Sequence, residues 1–471
     1  MRKYLLILFL ALSSSLFNLC EGQYTVLHNF NGVNGGNPNG SLALSGSKLL
    51  GMTILGGTDD SGCIFSIDTN GGEYKDLFDF NGTNGKNPWG SLIISGKVMY
   101  GMTLYGGINH DGLIFKIDTN GANYRDLWDF HNAGDSNGAF PIGDLTLIGN
   151  KLYGMTEGGG THSSGVIFSI DTNGLNYENL WNFDWASGSG PNGSLILAGN
   201  KLYGMASGGG AHGYGIVFSI DTNGTGFKDR FDFNGIEGDN PMGSLTISGK
   251  LIYGMTTLAG TDLSHRYGNI FSLDTNGSEY RDLYDFNLIS GANPYGSLTL
   301  LENRLYGMTC TYGEYNGGSI FSIDTNGSGY KTLYYFTGSS GITPLGNITL
   351  SGKELYGMTN YGGTNDLGVI FKIDTDAVTG INNLPPTTYS MTVYPNPSNG
   401  VFTVSIRNYE LEITNSVEVY NILGEKVYSQ FNNQQTTFNI DLSNQPNEVY
   451  FYRVIANTGE LIGEGKLVIQ K

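Results

Sequence analysis

The sequence predicts an all-β chain: a seven-bladed β-propeller closed by its own N-terminal strand, followed by a small C-terminal β-sandwich. Three observations lead there. The dipeptide Gly-Met recurs at Gly51, Gly101, Gly154, Gly204, Gly254, Gly307 and Gly357, at spacings of 50, 53, 50, 50, 53 and 50 residues. Each copy holds four short runs of β-branched, aromatic and aliphatic residues bounded by Gly, Asn or Asp, the pattern of a propeller blade. The copies are also out of phase with the chain. Tyr24–Phe30 reads as a fourth strand with none before it, and the last copy stops after its third strand, Gly368–Asp374.

Taken from the N-terminus, the chain opens with Arg2 and Lys3, an apolar run from Tyr4 to Leu12, then small and polar residues. This is the pattern of a secretory signal peptide, residues 1–22, too short for a membrane anchor. No later stretch is apolar enough to span a bilayer. The rest is rich in Gly (73), Tyr (30) and Phe (24), as short strands and tight turns require. Net charge is −18, with 24 basic against 42 acidic residues. Nucleic-acid binding needs a basic footprint, which is missing, and an anionic membrane surface is disfavoured for the same reason. Cys63 and Cys310 fall in different parts of different repeats and read as small buried side chains, not as a bridge.

The propeller is expected over residues 23–375. In the second copy its strands are a (90–96), b (97–103), c (112–118) and d (124–130). The c–d connection, Asp-Thr-Asn-Gly, is a hairpin turn in which Asn and Gly tolerate positive φ. An open array would need polar caps at both ends. A ring lets Tyr24–Phe30 complete the last blade and leaves no long exposed edge. One Met per repeat (Met52 to Met358) and one Phe per repeat (Phe65 to Phe371) then read as core rows, since each blade must bury both faces against neighbours.

The phrase LYGMTxxGG…GxIFxIDTNG resembles the GloVer tandem repeat of secreted bacterial proteins over about 350 residues. That repeat usually has Thr where this chain has Met. The resemblance implies no catalytic residues. Ser66–Tyr74 is also similar to the Asp-box of sialidase-like propellers, but with one extra residue before the Gly, so the likeness is read as a shared turn.

Residues 376–390 form a linker stiffened by Pro385-Pro386. Residues 391–471 follow as alternating apolar strands with Gly turns. The segments VYPNPSNGVFTVSI, VYNILGEKVYS and the terminal GKLVIQK resemble the type A C-terminal sorting domain of type IX secretion substrates. Glu448 stands where that domain usually has Gly. The resemblance implies the type IX secretion machinery as a partner, export to the cell surface or beyond, and removal of the domain.

Function is expected on the propeller face formed by the d–a and b–c connections. These vary from repeat to repeat, whereas the other turns are uniform. Each strand a is preceded by Pro-x-Gly with x free: Asn39, Trp89, Ile142, Asn192, Met242, Tyr295 and Leu345. If strand a lines the channel, these seven crowd its mouth. They either form a ligand rim, with Trp89 and Tyr295 as stacking platforms, or simply plug the channel. His110, His162, His212 and His265, with His131, sit on separate loops at differing offsets, so no metal site is expected, and no cofactor. Asp59, Asp60, Asp111 and Asp262 show no diagnostic spacing and read as solvated. A secreted or cell-surface module recognising an extracellular glycan or protein is therefore favoured. The alternative is a secreted hydrolase or lyase of polysaccharide.

Overall fold

A computed structural model describes residues 24–132, 137–258, 266–375, 390–407, 415–422, 425–432, 437–456 and 461–471. They fall into two units divided between residues 379 and 380. The expected signal peptide and all of the expected linker except Ser390 lie outside the described residues.

The first unit contains seven four-stranded antiparallel sheets. Six follow the chain order a-b-c-d. The seventh takes its d strand from Tyr24–Asn29, which pairs with Val369–Asp374 and sets Tyr24 opposite Ile373 and Asn29 opposite Val369. Strand a is shorter than its apolar run suggests: Ile93–Ser95 within 90–96. Gly90 and Ser91 are instead committed to the neighbouring sheet, as described below.

Each repeat is written for two kinds of packing. Within a sheet, the Gly of Gly-Met lies opposite the Phe of strand c, as Gly204 does with Phe218. A Cβ on Gly204 would sit 2.6 Å from the Phe218 ring. The missing side chain leaves room for the tip of the ring against the backbone. Between sheets, the Phe after each d strand meets the strand c Phe of the next sheet edge to face. Phe30–Phe65 centroids are 5.4 Å apart, and Phe336–Phe371 centroids are 5.3 Å apart. The Met row is buried as well, at 2–3% exposure.

Towards the outer edge, each d strand stacks an aromatic ring on the first residue of the next d segment. The series runs His28–Tyr74, Phe78–Tyr124, Trp128–Tyr177, Trp181–Phe227, Phe231–Tyr280, Tyr284–Tyr330 and Tyr334–Tyr24, all within 4.7 Å and nearly parallel. Such pairs contribute about 0.5–1.5 kcal/mol each beyond burial. Because Tyr24 is the partner of Tyr334, the last stack depends on the N-terminal strand. The Tyr24 hydroxyl also donates to the Ser340 carbonyl at 2.5 Å.

The second unit has two sheets. One contains Ser390–Tyr394, Val401–Arg407 and Thr437–Asp441; the other contains Asn415–Tyr420, Lys426–Asn432, Val449–Ala456 and Leu461–Val468. Phe402, Val404 and Ile440 of the first share one core with Val417, Val419, Tyr450, Tyr452, Val454 and Leu467 of the second.

Two outcomes are expected. Deleting residues 24–30 removes the partner of Val369–Asp374, so calorimetry should show the whole first unit melting earlier, not a local loss. A truncated chain melting with its parent would exclude that coupling. Gly204→Ala should destabilise by about 1–3 kcal/mol in denaturant titration, because the Phe218 ring has nowhere to go.

Candidate functional site

The Pro-x-Gly segments bring the sheets together. Each Gly lies so close to the next that a Cβ on it would fall 2.2–2.4 Å from the following glycine's carbonyl oxygen. The series runs from Gly40 to Gly90, Gly143, Gly193, Gly243, Gly296 and Gly346, and Gly346 meets Gly40. Only glycine permits this approach.

The residue after each Gly adds a second circuit of contacts. Ser41 N–H donates to Ser91 Oγ, Ser91 N–H to Asp144 Oδ1, and Asp144 N–H to Ser194 Oγ. Ser194 N–H then donates to Ser244 Oγ, Ser244 N–H to Ser297 Oγ, Ser297 N–H to Asn347 Oδ1, and Asn347 N–H back to Ser41 Oγ. All seven bonds lie between 2.5 and 2.9 Å.

All seven x residues, Asn39, Trp89, Ile142, Asn192, Met242, Tyr295 and Leu345, line one cavity with these glycines and ring residues. Its volume is about 60 Å³, room for roughly four to six waters. Asn39 and Asn192 are buried, at 5% and 4% exposure, and the other five are half-buried. Asn39 Oδ1 accepts from Asn360 Nδ2, while Asn39 Nδ2 has no partner. Asn192 Nδ2 donates to the Gly190 carbonyl and Ser207 Oγ, while Asn192 Oδ1 has no partner. Such orphans are uncommon in native interiors.

No lining residue is cationic, and one is anionic: Asp144. Burial pushes its carboxyl above the usual range, opposed by hydrogen bonds from Ser91 and Ser194. A second carboxylate lies nearby. Burial raises Glu157, and the Glu157 charge adds to burial in raising the Tyr295 hydroxyl. Sequence reasoning missed Asp144. Its signal was a break in a constant position, since Ser follows the Gly in five repeats, Asn in one and Asp in one.

The other candidates do not assemble. His110, His162 and His212 are exposed on separate repeats, and His131 is half-buried on another connection. Asp59 and Asp60 are exposed, with Asp60 accepting from Gly56 N–H. Asp111 accepts from Asn132 N–H. His265 and Asp262 lie outside the described residues. Cys63 and Cys310 are free and buried.

One grouping not anticipated is Cys63, Asp76 and Asp79, whose ligand atoms lie within 4.8 Å of one another. Metal ligation needs deprotonated donors. Burial instead pushes the Cys63 thiol up to about 12 and, with the Asp79 charge, the Asp76 carboxyl up to about 6. A proton held between carboxyls suits this cluster better than an ion.

The Gloeobacter/Verrucomicrobia repeat matches residues 13–207, 180–371 and 290–400. The chain belongs to that family. The secretion system C-terminal sorting domain matches residues 392–470. A protein carrying that type IX domain is exported to the cell surface or extracellular space. No described helix is long and apolar enough to cross a membrane. No curated protein matches this Gloeobacter/Verrucomicrobia repeat protein.

Similar solved structures include the extracellular domain of a one-component system from B. thetaiotaomicron, at 11% identity over 94% of this chain and 58% of that one, TM-score 0.49. A Pyrococcus horikoshii acylaminoacyl peptidase is similar at 9% identity over 80% of this chain and 58% of that one, TM-score 0.41. The polysaccharide lyase Uly1 is similar at 10% identity over 74% of this chain and 92% of that one, TM-score 0.43. The chain thus spans less than two thirds of the first two. Likeness at this level carries no functional inference.

The carboxyl pairs recur in the repeat protein. A one-residue bulge at Leu77 brings Asp76 and Asp79 to the same side of strand d. Asp126 with Asp129 and Asp229 with Asp232 repeat the arrangement. Burial and the paired aspartate raise Asp126 to about 6 and Asp229 to about 7. A carboxyl raised on folding binds more protons in the folded state between its unfolded and folded values. Stability therefore falls as pH rises from about 4 through about 7. The melting temperature is expected to drop between about pH 4 and 7, and Asp76→Asn/Asp126→Asn/Asp229→Asn to flatten that drop in calorimetry. An unchanged slope would rule the pairs out as its source.

Proposed function

We propose that the seven sheets are blades of a β-propeller closed by Tyr24–Asn29, and that the protein is an extracellular recognition module binding its ligand at the propeller mouth. The carrying observation is the convergence of all seven variable Pro-x-Gly side chains on one cavity while their Pro and Gly neighbours stay constant. A fixed backbone with free side chains is how a scaffold varies specificity without refolding. The cavity is lined by residues of the variable d–a connections, which are held to the b–c connections by bridges such as Gly36–Leu55 and Lys86–Tyr105. Trp89 and Tyr295 supply broad, half-apolar faces there. The C-terminal domain brings the protein to the type IX machinery and is then removed, leaving the repeat unit released or surface-attached.

The polysaccharide-enzyme reading is less well supported. A glycosidase needs two carboxylates flanking a sugar ring. Asp144 is the one carboxylate among the residues lining the cavity, and Glu157 is not among them.

The full chain should bind at least one member of a combined glycan and peptide array. Trp89→Ala and Tyr295→Ala should each weaken that binding about tenfold, or about 1.4 kcal/mol. Ligands held equally well by parent and both variants would place recognition elsewhere.

A further inference from the structure

The mouth has a chemical polarity that the ligand-rim reading leaves unused. It has one carboxylate, Asp144, and no cation among its lining residues. Buried carboxylates are normally paired or bound to a cation. Asp144 has only hydrogen bonds from Ser91 and Ser194. Asn192, which lines the same cavity, has a buried side-chain oxygen with no donor. Glu157 adds a second negative charge next to Tyr295. The chain as a whole carries −18, which steers cations towards it.

The connections on this face also expose apolar side chains. Of the fifteen exposed large hydrophobics in the described first unit, twelve lie in d–a or b–c connections. Many are aliphatic: Val33 is 82% exposed, Ile108 80% and Ile289 70%. Aromatic faces serve sugars and peptides alike, but exposed branched aliphatics gain little from a sugar and much from burial against protein. An alkylammonium fits a cavity of about 60 Å³, and its three donors match the carboxylate, the orphan amide oxygen and the ring hydroxyls.

We propose that the mouth receives a lysine side chain of a partner protein, its ammonium held by Asp144 and Asn192 and its methylenes by Trp89 and Met242, while the exposed aliphatics of the connections bury the partner's surface beyond it. The inference rests on the mouth being the binding site and names its occupant.

The test uses the full chain and the peptide acetyl-Ala-Leu-Lys-Leu-Ala-amide, with its Nε-acetyl-lysine and arginine counterparts and a chitosan oligosaccharide. Binding is followed by calorimetry and tryptophan fluorescence. The lysine peptide should bind about tenfold or more tightly than the Nε-acetyl form, and its on-rate should fall with added salt. Asp144→Ser, which installs the residue found at that position in five other repeats, should erase the preference while the melting temperature stays near the parent's. Asn192→Leu should weaken the lysine peptide selectively, and Trp89→Ala should weaken both peptides. The inference is overturned by equal affinity for charged and acetylated peptides, by a lysine preference that survives Asp144→Ser, or by no lysine-peptide binding at about 1 mM. It is equally overturned if the arginine peptide or chitosan binds in preference to the lysine peptide. A ligand lost on Trp89→Ala but unaffected by Asp144→Ser would overturn the lysine inference and keep the mouth as the binding site. A ligand indifferent to Trp89→Ala and Tyr295→Ala overturns both.

Discussion

The structure depends on how closely seven backbones approach at one place. Gly40, Gly90, Gly143, Gly193, Gly243, Gly296 and Gly346 each leave no space for a Cβ against the next. A side chain on any of them would push two sheets apart, and since each glycine has a neighbour on both sides, the disturbance would pass to the rest. The hydrogen bonds from Ser41 through Asn347 then satisfy backbone N–H groups that strand pairing leaves open at that point. Strand a is only three residues long for the same reason: its first residues are bonded to the adjacent sheet, not to strand b.

The packing further out follows from that convergence. The order along each sheet is Gly at the convergence, then Met and Phe on strands b and c, then stacked aromatic rings at strand d. Phe227 shows what is dispensable. It keeps the ring stack on Trp181 but has no hydroxyl, whereas Tyr74, Tyr124 and Tyr177 each also donate to a backbone carbonyl of the preceding d–a connection. Ring stacking is common to every outer contact; the hydroxyl bond is an addition.

The site illustrates where reading a sequence stops. The x positions were legible because Pro and Gly held still around them, and all seven reached the cavity. Asp144 was not, because a lone Ser-to-Asp change looks like ordinary surface variation until the fold shows that the position is enclosed. The paired carboxylates were hidden differently. Asp76 and Asp79 are three apart, which in a regular strand points them to opposite faces. The bulge at Leu77 puts them on one side, and no residue type announces that bulge. Glu157 and Tyr295 belong to repeats far apart in the chain, so no local pattern could pair them.

Sequence alone determined the number of repeats, the four strands in each, the tight turns, the core rows and the C-terminal domain. All of these are local or periodic, and periodicity survives without coordinates. Tertiary structure alone decided which side chains share the central cavity, which one of them carries charge there, and which polar atoms were left without partners. Those are properties of enclosure and of distances between residues hundreds of positions apart, and they exist only once the backbones have converged.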